Sequence, residues 1–157
     1  MNIRIMKKLL MLSMLFCLSA CSSSTSAKED KPEEQPKNVY RNPVINYSLP
    51  DPTVIKADDG YFYLYATEDI RNLPIHRSKN LVDWEYVGTA FTERTRPDFE
   101  EGGGLWAPDI NKIGDKYVLY YSMSKWGGEW TCGVGCAIAD KPEGPFTDQG
   151  KMFRSNE

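Results

Sequence analysis

A single histidine, His76, serves a chain of 157 residues. A catalytic triad or a histidine metal cluster has little to draw on, because no nucleophile pair or second ligand surrounds it; a strand or surface position is expected. Cysteine is nearly as scarce, with four residues. Cys17 and Cys21 fall in the first 21 residues, which leaves Cys132 and Cys136 in "TCGVGCAIA". In a straight strand, positions i and i+4 lie about 13 Å apart, whereas a disulfide needs Cα atoms within about 7 Å. Two buried thiols are therefore expected ahead of a bridge, and no metal site is assigned. From residue 39 onward the chain lacks a helical period, and it lacks any basic run or patch, which excludes a nucleic-acid partner.

The one long apolar run, "LLMLSMLFCL" (9–18), follows Arg4, Lys7 and Lys8 and is short for a membrane span. Residues 1–20 read as a secretory signal peptide. "LSAC" (18–21) resembles a bacterial lipobox, the alternative being an ordinary signal with an incidental cysteine. The resemblance implies cleavage before Cys21, lipidation of Cys21 and an exported lipoprotein held at a membrane, with the outer membrane or cell surface favoured. Residues 22–38, "SSSTSAKEDKPEEQPKN", hold no aromatic and no aliphatic side chain larger than alanine. They cannot bury enough surface to offset ordering entropy, so 21–38 is expected to be a disordered tether. Without the first twenty residues, 16 basic side chains face 22 acidic ones, about −6 in net charge. Neutral or weakly charged substrates suit that balance.

Residues 39–157 are rich in Tyr, Trp, Gly and Pro. "TVIKA" (53–57) reads as a strand, "DDG" (58–60) as a hairpin turn, and "YFYLYAT" (61–67) as a strand buried on both faces. "IHRS" (75–78) and "WEYVG" (84–88) complete a set of four. "WAPDINKIGDKYVLYYSMS" (106–124) then repeats the order of Pro-Asp, short strand, turn and aromatic strand. "GVGCAIAD" (133–140) and the segment after "KPEGPF" supply two more strands. Asp51 and Asp109 stand 58 residues apart, each after a proline, and look equivalent. Four antiparallel strands recurring at this spacing are the signature of a β-propeller blade. The expected fold is all-β, with about two blades of a larger ring, and the chain is expected to be a truncated piece of it. The tyrosines of 61–65 with Tyr117, Tyr120 and Tyr121 are expected to pack between blades.

"NPVINYSLPDPTVIKADDGYFYLYAT", "HRSKNLVDWEYVGTAF", "LWAPDI", "KYVLYYSMS" and "AIADKPEGPF", in this order, resemble the start of a glycoside hydrolase family 43 domain. That family includes arabinanases, arabinofuranosidases and β-xylosidases. The resemblance implies a five-bladed β-propeller, a cleft at the mouth of its central channel, and hydrolysis of glycosidic bonds with inversion. The implied substrate is an arabinan or arabinoxylan-type polysaccharide. Fructan-cleaving propellers usually carry Asn-Asp-Pro-Asn at the equivalent of "LPDPTV", which disfavours them.

Residue by residue, the resemblance implies that Asp51 is the general base and that Trp106 lines the sugar cleft, bracing the blade being the alternative. Gly127 is a candidate to offer its backbone to a sugar hydroxyl, an ordinary glycine turn being equally compatible. Asp109 is expected to accept backbone N–H bonds at a blade start, with a lesser candidacy for substrate contact. The family's second aspartate and its general-acid glutamate come from later blades. Asp115, Glu129, Asp140 and Glu143 sit in the wrong motifs to replace them. The 157-residue chain is therefore expected to be inactive on its own, the alternative being a non-catalytic carbohydrate-binding fragment. No cofactor is assigned; a channel calcium ion, which arabinan-cleaving members often hold, would take its ligands mostly from other blades.

Overall fold

Turn chemistry divides the chain into hairpins. The computed structural model describes residues 39–127 and 132–155, and the readings for Cys21, the signal peptide, the tether and Glu129 fall outside them. Eight strands follow in order: β1 (Thr53–Lys56), β2 (Phe62–Tyr65), β3 (Pro74–Ser78), β4 (Glu85–Thr89), β5 (Gly104–Ile113), β6 (Lys116–Ser124), β7 (Cys132–Ala139) and β8 (Thr147–Arg154). They form two four-stranded antiparallel meanders, β1-β2-β3-β4 and β5-β6-β7-β8. None of the described residues is helical.

The first hairpin closes through Gly60, whose φ of +85° favours a residue without Cβ. Asp59 reinforces it by accepting from the Tyr61 N–H and the Tyr63 hydroxyl. In the second meander Gly114 and Asp115 alone span the turn between Ile113 and Lys116. The two units thus share strand order but not turn length.

β5 carries an irregularity with consequences for both core and site. Trp106 pairs with Ser122 and Asp109 with Tyr120, so one extra residue is accommodated across Ala107–Pro108. Proline has no N–H to give to a ladder and is confined to such bulges in sheet interiors. Side chains alternate faces with period two, so residues 105 and 110 would ordinarily point opposite ways. The extra residue cancels that change, and Leu105 and Ile110 both join the core.

One face of each meander contributes to a shared apolar core. It unites Tyr63, Tyr65 and Ile75 with Leu119, Tyr121 and Phe146. The Tyr65 hydroxyl donates to the Pro142 carbonyl, and its ring meets Phe146 edge-on at 5.9 Å. Tyr121 packs edge-on against Phe91 and flat against Phe99, and it donates to Asp148.

The structure corrects or refines several expectations. Tyr120 is only half-buried and lies off the face that carries Tyr117 and Tyr121. Tyr61 is only partly buried, packed against the edge of the core with Arg77 and Lys79 over its ring. Asp51 and Asp109 are not equivalent, because Asp51 precedes β1 whereas Asp109 lies inside the longer β5. The cysteines are unbridged but half-buried rather than buried. Burial, followed by the nearby Asp148 carboxylate, pushes the Cys136 thiol above its ordinary pKa, which keeps it protonated and unreactive. His76 is a fully buried strand residue whose Nε2 pairs with the Tyr47 hydroxyl.

Candidate active site

Asp51 ends the irregular lead-in to β1 in a left-handed conformation, φ +48°. That region is sparsely populated for residues with a Cβ, although aspartate tolerates it better than most. Ala107, in the β5 bulge, is also left-handed, φ +45°. A single residue joins them. Thr67 Oγ1 donates to Asp51 Oδ2 at 2.8 Å and accepts the Ala107 N–H at 2.8 Å. The Thr67 N–H reaches back to the Pro50 carbonyl at 2.9 Å.

Glu68 continues this strap. Its N–H donates to the Leu105 carbonyl, and its Oε1 accepts the Leu105 N–H at 2.7 Å. Arg96 grips both carboxylate oxygens, and the Asn72 N–H adds a fourth bond. Burial alone would raise the Glu68 pKa. The Arg96 guanidinium and the N–H groups of Asn72 and Leu105 outweigh it and hold the group below the ordinary glutamate value. Glu68 is therefore an anion at neutral pH, a brace rather than a proton donor.

The floor so formed opens into a cleft of about 410 Å³ between the two meanders. Asp51, Thr67, Trp106 and Trp126 all line it. The two tryptophans form an aromatic corner, with ring centroids 5.9 Å apart and planes nearly perpendicular. Trp106 is half-buried, and its indole N–H has no partner among the described residues. Trp126 is 87% exposed, an unusual position for so large an apolar side chain. Gly127, φ +69°, forms the turn beside it and is itself exposed at the edge of this corner.

Asp109 does not belong to this group. Its carboxylate faces the junction of β1 and β5, where it accepts from the Asn111 amide at 2.8 Å and, at 3.5 Å, from the Thr53 hydroxyl. It takes these side-chain donors rather than the backbone N–H groups expected. Thr53 Oγ1 in turn accepts the Ile110 N–H at 3.4 Å. Asp109 thus joins the two meanders away from the cleft. Among the described residues no group of three His, Cys, Asp or Glu side chains could hold a metal ion.

Thr67, Glu68 and Arg96 are site residues that the sequence did not single out: Thr67 was expected only as the end of a strand, and Glu68 falls in the polar stretch after it. Trp126 belongs to the same turn as Gly127. Residues 40–157 match the family profile described as glycosyl hydrolases family 43. The chain belongs to that family. Among curated relatives of the family 43 chain, a non-reducing end α-L-arabinofuranosidase of Bacteroides ovatus is 31% identical over 121 residues, which cover 71% of this chain and 22% of that protein. A probable arabinan endo-1,5-α-L-arabinosidase C of Aspergillus flavus is 32% identical over 126 residues, covering 76% and 39% respectively. Among solved structures, the native arabinanase of Bacillus subtilis superposes with a TM-score of 0.61 at 29% identity, over 71% of this chain and 41% of that one. The chain therefore spans well under half the length of these relatives. Its two meanders are two blades of the family's five-bladed β-propeller.

Proposed function

We propose that this family 43 chain carries the base side of an inverting glycoside hydrolase site for arabinan or arabinoxylan-type polysaccharide, with Asp51 as general base. The observation that carries the reading is the placement of the Asp51 carboxylate. It is held by Thr67 on a left-handed turn and opens into a cleft walled by Trp106 and Trp126. Aromatic faces stack on the C–H-rich faces of sugars, and a carboxylate beside them can take a proton from an attacking water. The names of the relatives favour arabinofuranosyl or arabinan substrates.

Inversion also needs a carboxylic acid across the bond, roughly 6.5–9.5 Å from the base, to protonate the leaving oxygen. Glu68 cannot serve, since Arg96 keeps it ionised. Asp69 also lines the cleft, from the turn directly after Thr67, but it does not stand in the motif that carries the family's acid. On this reading the described residues bind the sugar and activate water, while the leaving oxygen depends on an acid that the family resemblance places in a later blade. The 157-residue chain is expected to be inactive toward arabinan and to retain hydrolysis, through Asp51, of a glycoside whose leaving group needs no proton. The test compares linear arabinan, debranched arabinan and 2,4-dinitrophenyl α-L-arabinofuranoside. Ready cleavage of arabinan would show that an acid is present after all. The non-catalytic carbohydrate-binding reading would show as oligosaccharide binding without hydrolysis of either class.

We propose further that the domain is exported and anchored through a lipid on Cys21, with residues 21–38 as its tether, as the lipobox-like "LSAC" supports. Acyl chains hold by burying methylenes worth about 0.8 kcal/mol each. Cys21→Ser is expected to move the protein from the membrane to the soluble fraction. Unchanged membrane retention would refute the anchor.

A further inference from the structure

Two left-handed non-glycine residues, Asp51 and Ala107, flank the cleft and come from different blades. Strained backbone of this kind costs on the order of 1–3 kcal/mol per residue and persists only where its surroundings over-determine it. Here the surroundings converge on one oxygen. Thr67 Oγ1 is bonded at 2.8 Å to the Asp51 carboxylate and at 2.8 Å to the Ala107 N–H.

The chemistry of those partners fixes the direction of both bonds. An amide N–H can only donate and an ionised carboxylate can only accept. The Ala107 N–H therefore occupies the acceptor side of the hydroxyl, and the one hydroxyl proton is directed to Asp51 Oδ2. The β-branched side chain has few χ1 rotamers to choose from, and the Thr67 N–H is itself tied to the Pro50 carbonyl. Of the Asp51 oxygens, Oδ2 is thus committed. Oδ1 has no partner among the described residues and is the oxygen open to a water in the cleft.

We propose that Thr67 is a positioning residue of this site: it sets the plane of the Asp51 carboxylate by a polarised Ala107–Thr67–Asp51 relay and reserves one oxygen for the nucleophilic water. The inference rests on the reading of Asp51 as the base, and it makes a single hydroxyl the junction between the base of one blade and the Trp106-bearing bulge of the next. Serine supplies the same donor and acceptor, so Thr67→Ser retains the relay. Valine is isosteric but supplies neither, so Thr67→Val breaks it.

The test is solution NMR of the uniformly 13C,15N-labelled 157-residue chain. In the wild type and in Thr67→Ser, the hydroxyl proton of residue 67 is expected in slow exchange, with a through-hydrogen-bond coupling to the Asp51 carboxyl carbon. In Thr67→Val the coupling is lost and the Asp51 carboxyl resonance shifts together with the Ala107 amide. Movement of the Ala107 amide alone, with the Asp51 carboxyl unmoved, would leave Thr67 a purely structural role and overturn the proposal. Should Thr67→Val fail to fold, the wild-type and Thr67→Ser spectra decide: absence of the coupling in both overturns it. None of these readouts needs turnover. Failure of hydrolysis would count against the proposed function alone, and an unmoved Asp51 resonance against the role of Thr67 alone.

Discussion

Replacing Glu68 by alanine probes the brace beneath the cleft. The Glu68 side chain is 11% exposed and its Arg96 partner 8%, so solvent screens the pair little. The carboxylate accepts four bonds, two from the guanidinium and one each from the Asn72 and Leu105 N–H groups. In Glu68→Ala the buried guanidinium keeps only Asn72 Oδ1 at 3.1 Å and the Gly103 carbonyl at 3.0 Å, and two N–H groups lose their acceptor. Removing one partner of a buried pair costs about 3–5 kcal/mol, mostly the penalty of the charge left behind. Glu68→Ala/Arg96→Met deletes that charge, so the double variant is expected to be no less stable than Glu68→Ala alone. Urea unfolding at pH 7, followed by tryptophan fluorescence, measures the cycle. The pH dependence has a definite sign. The folded-state pKa of Glu68 is depressed from 4.5, so its contribution is complete above that value and is lost as pH falls through the lower folded-state pKa. The gap between wild type and Glu68→Ala narrows below pH 4.5. A cost under about 1 kcal/mol at pH 7, or strict additivity in the cycle, would refute the reasoning.

Two further outcomes follow from packing and exposure. A Cβ added at Gly135 would lie 2.5 Å from Tyr121 Cζ and 2.9 Å from Cε2, and Phe91, Phe99 and the bond to Asp148 stop that ring from moving aside. Gly135→Ala is therefore expected to destabilise by about 1–3 kcal/mol, seen as a lowered urea midpoint; an unchanged midpoint contradicts it. Trp126 is 87% exposed, so Trp126→Ala is expected to leave the urea midpoint within about 0.5 kcal/mol of wild type. It is expected at the same time to weaken arabino-oligosaccharide binding by calorimetry, and unchanged binding would remove Trp126 from the sugar site.

Much of the blade architecture was legible because its signals are local. Asp58-Asp59-Gly60 and Gly114-Asp115 mark turns, the aromatic runs at 61–65 and 117–121 mark inner strands, and their order repeats. All eight strands fall where those signals put them, with ends differing by a few residues. The spacing of Asp51 and Asp109 misled for a physical reason: the Pro108 bulge extends β5 back to Gly104 and carries Asp109 into the strand. In the site, the family resemblance pointed to Asp51 and Trp106, which the fold brings to one cleft. Thr67, Glu68 and Arg96 were not legible, because Thr67 reads only as a strand end, and "ED" and "TERTRP" read as polar loop until the fold closes residues 28 apart into one ion pair. Trp126 left a usable signal, a bulky aromatic in a turn beside Gly127 where no core can form.

The claim that Asp51 supplies the base is tested most directly by initial-rate hydrolysis of 2,4-dinitrophenyl α-L-arabinofuranoside by the 157-residue chain and its Asp51→Asn variant. The leaving phenolate needs no general acid, so the measurement isolates water activation. The account predicts wild-type turnover above the spontaneous rate, lost in Asp51→Asn, with the two proteins giving the same urea midpoint. Equal rates in the two proteins would contradict it.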